Sequence, residues 1–294
     1  MMRSITIYIA FAVGIFAISP HASEPSRMIL NGWTNESRFV LVSAVDEVGR
    51  PLLGLQPGDF VIENAGVRRD ILAAAPASYP LAVVVDTSSY ARPDLQVIRS
   101  AILRFVEGAE PRQIAIYSSG PPPSRIQDFT MDARRVSGGA SHLFAAPQST
   151  THMLEAVISA ANGLAQQHAP VTAIVALSAG GLEMSPPTVE QVRGALTASR
   201  TILHVVERQP LRLDHGFPQS RDGVFEALSQ ATHGQFIHGV SDAVYSGGLA
   251  AVRRHLDGEL VLEYEATSAS VHALKLVLQR PGRVAFAIEV DRIR

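Results

Sequence analysis

The chain contains no cysteine. That absence excludes a disulfide framework, thiolate metal sites, a cysteine nucleophile and a lipid-modified cysteine at a mature N-terminus. It is compatible with an oxidising compartment without requiring one. Long runs of like charge are missing too. Twenty-five basic residues stand against 27 acidic ones, for a formal charge of −2, so neither nucleic acid nor an anionic membrane surface is an expected partner. The sequence has no Gly-x-Ser-x-Gly elbow, no Walker loop and no His-Glu-x-x-His pair, which removes the commonest short signatures of hydrolases, nucleotide enzymes and zinc peptidases. What is present is ordinary globular material. The 294 residues are 47% hydrophobic and 18% charged, enough for one or two domains and a sizeable core.

The first residues bear on compartment. Arg3 gives a positive start, and Ile5 to Ile18 is apolar apart from Thr6, Tyr8 and Gly14. Ser19-Pro20-His21-Ala22-Ser23 then supplies small residues suited to cleavage. Residues 1–23 therefore read as a secretory signal peptide. The alternative, a retained anchor, has a 14-residue apolar run against the about 20 residues a spanning helix needs. Cleavage leaves no integral membrane segment and predicts a periplasmic or extracellular protein.

Beyond a polar lead-in at 24–38, three regimes follow. Phe39 to Val48, Phe60 to Glu63 and Arg69 to Ala74 have strand character, with turns at Gly49-Arg50-Pro51 and Asn64-Ala65-Gly66. Leu81 to Val85, Thr172 to Leu177 and Ile202 to Val206 are apolar runs with the pattern of strands buried on both faces, Gln113 to Tyr117 is another strand, and Ile126 to Phe129 is a shorter one. Helix-period segments alternate with them at Pro93 to Glu107, Thr151 to Gln167, Thr188 to Ser199, Phe225 to Ala231 and Ala243 to Leu256. Such alternation predicts an α/β fold with a doubly wound, mostly parallel sheet. The end reverts to strands at Leu260 to Tyr264, Leu274 to Leu278 and Val284 to Val290. The two outer β pieces, about 50 and 35 residues, are each small for an independent domain. The expected solution is one small β-sandwich formed by N- and C-terminal strands, with the α/β domain inserted. The domain plan is thus 1–23 signal peptide, 27–78 N-terminal β region, 79–256 α/β domain and 258–294 completing strands.

Asp86-Thr87-Ser88-Ser89-Tyr90 follows the first buried strand. It resembles the Asp-x-Ser-x-Ser signature of von Willebrand factor A domains, and the resemblance spans roughly residues 79–250. Val45-Asp46-Glu47-Val48-Gly49-Arg50-Pro51 with Gly54-Leu55 and Asp59-Phe60, then Ile126-Gln127-Asp128-Phe129-Thr130, and finally Leu256 to Tyr264, are similar to the bacterial group of VWFA-related Acidobacterial domain proteins. The resemblance implies a Rossmann-like vWA sheet with a metal-ion-dependent adhesion site at its carboxyl rim, where open α/β sheets place ligands. In the family, hydroxyls and carboxylates hold a divalent cation there, and the cation takes an acidic group of the partner.

Residue by residue, the resemblance implies Asp86, Ser88 and Thr151 as metal ligands. Ser141 is an alternative to Thr151. Two positions depart: Tyr90 stands where the family has its second signature serine, and Ala179, in Leu177-Ser178-Ala179-Gly180, where it has a distant aspartate. A single carboxylate neutralises less of a dication's charge, and Mg²⁺ needs near-ideal oxygen geometry. The expectation is a degenerate site with no cofactor, or at most weak Mg²⁺ or Mn²⁺. Glu183 is either a substitute ligand or a solvated loop residue. Asp86 either keeps a residual metal role or simply caps the amides that follow it. Tyr90 is expected at the mouth of the site.

His233 and His238 flank a short segment without a visible third ligand, so they are expected at surface or edge positions. Gly138-Gly139 and Gly247-Gly248 read as loop breakers. A triad of Asp86, Ser88 and some histidine has no sequence support. The expected protein is a non-catalytic module that binds a protein partner. A metal-dependent adhesion protein and an envelope hydrolase are the alternatives.

Overall fold

The computed structural model describes residues 36–64, 66–108, 112–209, 223–266 and 274–290. The expected signal peptide, 1–23, lies outside them. The chain divides into two compact units. One runs from Ala77 to Asp257; the other combines the described residues up to Pro76 with those from Gly258 on.

The second of these units begins with β1 (Glu36–Val45), β2 (Phe60–Asn64), β3 (Val67–Arg69) and β4 (Ile71–Pro76). β1 stops three residues earlier than its apolar pattern suggested, because Asp46 folds the chain into a turn. Its carboxylate accepts from Val48 N (3.0 Å) and Arg50 N (2.9 Å). The expected single strand over 69–74 is also revised. It breaks at Asp70, so that β3 pairs with β2 while β4 pairs with a strand from the end of the chain.

The inserted unit contains β5 (Leu81–Val85), α1 (Leu95–Glu107), β6 (Ile114–Ser118), β7 (Ser124–Thr130), α2 (Ala133–Ser141), α3 (Met153–Ala165) and β8 (Thr172–Ser178). It continues with α4 (Val189–Ala198), β9 (Thr201–Arg208), α5 (Val224–Ala231), β10 (Phe236–Gly239) and α6 (Ala243–Asp257). The sheet order is β10-β9-β8-β5-β6-β7. All neighbours are parallel except the edge strand β7. β5, β6 and β8 have every residue buried, as their unbroken apolar runs require when helices cover both faces. Ala82, Val84, Ile174, Ala176, Leu203 and Val205 pack with α3, α4 and α5. The alternate residues of the strands face the other way, toward α1, α2 and α6.

One helix and two glycine pairs correct the sequence reading. α2 was not expected, because Gly138-Gly139 reads as a loop, yet both lie within it. A Cβ on Gly139 would come 2.6 Å from the Cβ of Gln127, so the helix approaches β7 only at a glycine. Gly247-Gly248 likewise lies inside α6, where Gly248 meets Val206 of β9. α1 starts at Leu95, leaving Pro93 in the preceding turn.

The chain closes with β11 (Glu259–Ala266), β12 (Leu274–Leu278) and β13 (Arg283–Val290). These complete two antiparallel sheets, β13-β1-β11-β4 and β12-β2-β3. Val40, Val42, Leu262 and Tyr264 from the first sheet share one buried cluster with Phe60, Ile62, Leu274 and Leu276 from the second. Alternate residues of both sheets thus point inward, which makes this unit a β-sandwich formed by N- and C-terminal strands.

Candidate functional site

In the parallel sheet, β5 has β6 on one side and β8 on the other. The chain goes first to β6 and later returns to β8, so the order reverses at β5. The carboxyl end of that strand is the topological switch point, where the departing loops part and leave room for a ligand. Asp86 is the residue that β5 delivers there. It is fully buried.

Four protein donors surround its carboxylate. Oδ1 accepts from Ser88 N at 2.9 Å and Ser119 Oγ at 3.4 Å. Oδ2 accepts from Ala179 N at 3.1 Å and lies 3.4 Å from the Thr151 hydroxyl. That hydroxyl is also 3.2 Å from Ser88 Oγ. Ser119 Oγ further accepts from Thr87 N at 3.0 Å. Asp86, Ser88 and Thr151 are therefore brought together, drawn from residues far apart in the chain. Ser141 is elsewhere: exposed at the end of α2, it donates to Gly138 O at 2.6 Å. Thr151 lies ahead of α3 rather than in its first turn.

Thr151 is fixed by the loop that follows β8. Its N–H donates to Leu182 O (3.1 Å), and its carbonyl accepts from Met184 N (2.8 Å). Glu183 in this loop is part-buried. Its carboxylate accepts from Met153 N and Ser185 N, both at 2.9 Å, and so caps the N-terminus of α3. Carboxylates at that end of a helix meet unpaired N–H groups and the positive end of the helix dipole. Ser185 Oγ accepts from Glu155 N at 3.1 Å. A third loop is tied in by Ser89, whose N–H and hydroxyl both donate to Ser149 O.

Tyr90 is 44% exposed, and its ring lies against Gly181, where a Cβ would stand 2.6 Å from the ring carbon Cδ2 and 2.6 Å from Thr151 Oγ1. Ring and hydroxyl flank the same glycine, so Tyr90 sits beside the ligand-type residues at the rim. Ala179 is buried and contributes only its backbone N–H.

Beside this cluster is a second one that no sequence pattern announces. Asp94, nearly buried, is ion-paired with Arg208 at the end of β9 and hydrogen-bonded by Tyr245 of α6 at 3.0 Å. The Tyr245 hydroxyl is also 3.1 Å from Ser178 O. Burial, and then the Asp94 charge, push the phenol well above its ordinary range. Pro93 and Asp94 looked like a helix start, and nothing in their spacing points to an arginine 114 residues away. His233 and His238 are both exposed, the latter on the edge strand β10 and stacked on Phe236. Among the described residues no three histidine, aspartate or glutamate side chains cluster as metal ligands.

As a donor set for a divalent cation the rim residues fit poorly. They offer one formal negative charge, and both oxygens of that carboxylate already accept hydrogen bonds, two of them from backbone amides. An amide N–H cannot become a ligand, and Mg²⁺ demands several oxygens in near-octahedral order. Ser88 Oγ is bonded to Thr151 rather than to an imidazole.

No family model matches the chain, and no curated protein matches it in sequence. Solved structures do. The von Willebrand factor type A protein from Catenulispora acidiphila superposes with a TM-score of 0.50 at 12% identity, over 81% of this chain and 74% of that one. An aerotolerance-related membrane protein from Bacteroides fragilis gives 0.47 at 15%, over 60% and 98%. The vWF domain of the type V pili tip protein Mfa5 from Porphyromonas gingivalis gives 0.44 at 13%, over 60% and 95%. At these identities the likeness concerns fold: the chain has the von Willebrand factor A fold.

Proposed function

We propose that this von Willebrand factor A fold serves as an exported, non-catalytic protein-binding module whose adhesion-type site has lost its dependence on metal. The observation that carries the reading is the Asp86 carboxylate, whose two oxygens are engaged by four donors of the protein itself. In that state the residue organises the rim loops instead of presenting a charge to a cation. Tyr90 and Ala179 stand where the family has further ligands, which supports the same conclusion. Export rests on the leader-like composition of residues 1–23. Among the described residues no helix is long and apolar enough to cross a membrane.

The test is capture of partners from the native envelope fraction by the immobilised chain, with and without a chelator. The reading expects the same partner under both conditions, and its loss when Tyr90 is changed to Ala. Capture abolished by the chelator contradicts it. So does robust turnover in a hydrolase screen that disappears in Ser88→Ala. The second reading, a metal-dependent adhesion site, draws on the convergence of Asp86, Ser88 and Thr151. It requires at least one of the hydroxyls of Ser119 and Thr151, each 3.4 Å from the carboxylate, to turn its proton elsewhere.

A further inference from the structure

We infer that the helical layer formed by α1, α2 and α6 is a docking face for an anionic lipid bilayer. Its arginines meet lipid phosphates, and two apolar side chains that flank α2 enter the headgroup boundary. The inference goes beyond the binding-module reading and does not depend on it. It concerns the side of the parallel sheet, where the helices lie, and not the rim around Asp86.

The formal charge of −2 argues against such a partner for the chain as a whole, but the charge is unevenly laid out. α1, α2 and α6 together carry six arginines, Arg99, Arg104, Arg134, Arg135, Arg253 and Arg254, against the two carboxylates Glu107 and Asp257. On the other side of the sheet, α3, α4 and α5 carry Arg193 alone against Glu155, Glu190 and Glu226. The segments leading into α1, α2 and α6 add Arg92, Asp132 and Asp242, while Asp94 there is ion-paired with Arg208. Glu207 points away from this layer, because Val206 and Arg208 on either side of it turn toward α6. With every carboxylate counted, cations still outnumber acids on this side alone. Arg104, Arg134, Arg135 and Arg254 are exposed and pair with no carboxylate among the described residues, whereas Arg253 pairs with Asp257. Arg134 and Arg135 also stand in the first turn of α2, where no acid accompanies them. That is the positive end of the helix dipole, which disfavours cations. A phosphate relieves the conflict, since guanidinium groups and a helix N-terminus both receive it.

Shape and apolar surface then select the occupant. α1 lies between α2 and α6 and is tied to both sides. Arg99 bonds to Leu143 O just beyond α2, and Arg104 donates to Ser246 Oγ of α6 at 2.6 Å. Three helices side by side make a broad face, with arginines spread across it in two dimensions. A linear polyanion follows one line of cations; the headgroups of a leaflet meet all of them. Two large apolar side chains stand at opposite ends of α2, Met131 at 63% exposure and Phe144 at 68%. The Arg99 guanidinium, 5.3 Å from the centre of the Phe144 ring, sets a cation beside one of them. Such a mixture suits a membrane surface, where phosphate receives the guanidinium and the acyl boundary receives the hydrocarbon. A soluble polyanion would leave Met131 in water.

The experiment is sedimentation of the full chain with vesicles of phosphatidylcholine, alone or with rising fractions of phosphatidylglycerol, at low and high salt. The bound fraction is expected to rise with phosphatidylglycerol and to fall as salt screens the arginines. Arg134→Glu combined with Arg135→Glu should lower the partition coefficient about tenfold or more. Met131→Ala combined with Phe144→Ala should lower it by a smaller factor. Arg193→Glu, on the other side of the sheet, should leave it unchanged. All these side chains are exposed, and urea midpoints check that each variant folds. Absence of phosphatidylglycerol-dependent sedimentation overturns the inference, as does sedimentation that is indifferent to the double charge reversal in α2. Retention on heparin without vesicle binding makes the occupant a linear polyanion and overturns it too. Partner capture at the rim is expected to persist in the α2 double variant, so the binding-module reading stands or falls separately.

Discussion

Two buried polar clusters in the α/β unit handle charge in opposite ways. At the carboxyl rim, Asp86 has no exposed surface, yet two amides and two hydroxyls point at its oxygens. Within the sheet and α6, His204 and His255 are also buried, with rings 5.4 Å apart in an edge-on arrangement. His204 Nδ1 accepts from Gln235 N at 3.1 Å, while its Nε2 has no hydrogen-bond partner among the described residues. Burial holds His204 well below the ordinary histidine range, with His255 and Arg112 adding repulsion. Burial alone takes His255 down to about 4. Burial favours the neutral form of an imidazole, whereas a buried carboxylate needs donors at its oxygens. The rim has the donors, and this is why a carboxylate can be structural there.

The largest expected effect separates the clusters directly. Asp86→Ala removes an acceptor shared by four donors, leaving buried amides of Ser88 and Ala179 unpaired. The loss should be about 3–5 kcal/mol in urea unfolding; a loss under about 1 kcal/mol would mean that the rim does not depend on this residue. Next comes pH. The depressed histidine values mean that the unfolded chain takes up protons first as pH falls. Their stabilising contribution is full above the ordinary histidine value of 6.5 and is lost as pH falls from there toward about 4. For His255 alone the loss should reach on the order of 3 kcal/mol, and His255→Leu should flatten the slope across that window. An unchanged slope would show that the pair does not set it. Glu183→Ala uncaps α3 and should cost about 1 kcal/mol by the same unfolding measurement. The smallest effect is at Tyr90. Its ring is half exposed, so Tyr90→Ala should change stability by less than about 0.5 kcal/mol while weakening partner capture.

How much of this was legible in the sequence follows the same physics. Unbroken runs such as Leu81 to Val85 announced strands covered on both faces, and the observed β5 has those bounds. Asp86, Ser88 and Thr151 could be singled out because side-chain type carries the signature. The rest of the site could not. Ala179 acts through its backbone N–H, which every residue but proline possesses, and Ser119 looks like any other serine. Glu183 read as loop because one of its partner amides, Met153 N, belongs to a helix start 30 residues away in sequence. α2 was hidden by Gly138-Gly139, where close approach to Gln127 outweighs poor helix propensity. The break at Asp70 depends on which sheet each half joins, a fact no local pattern records.

Isothermal titration of the intact chain with Mg²⁺ and Mn²⁺ tests the central claim most directly. With the carboxylate of Asp86 held by protein donors, binding weaker than about millimolar is expected for either ion. Micromolar affinity abolished by Asp86→Ala would contradict the account.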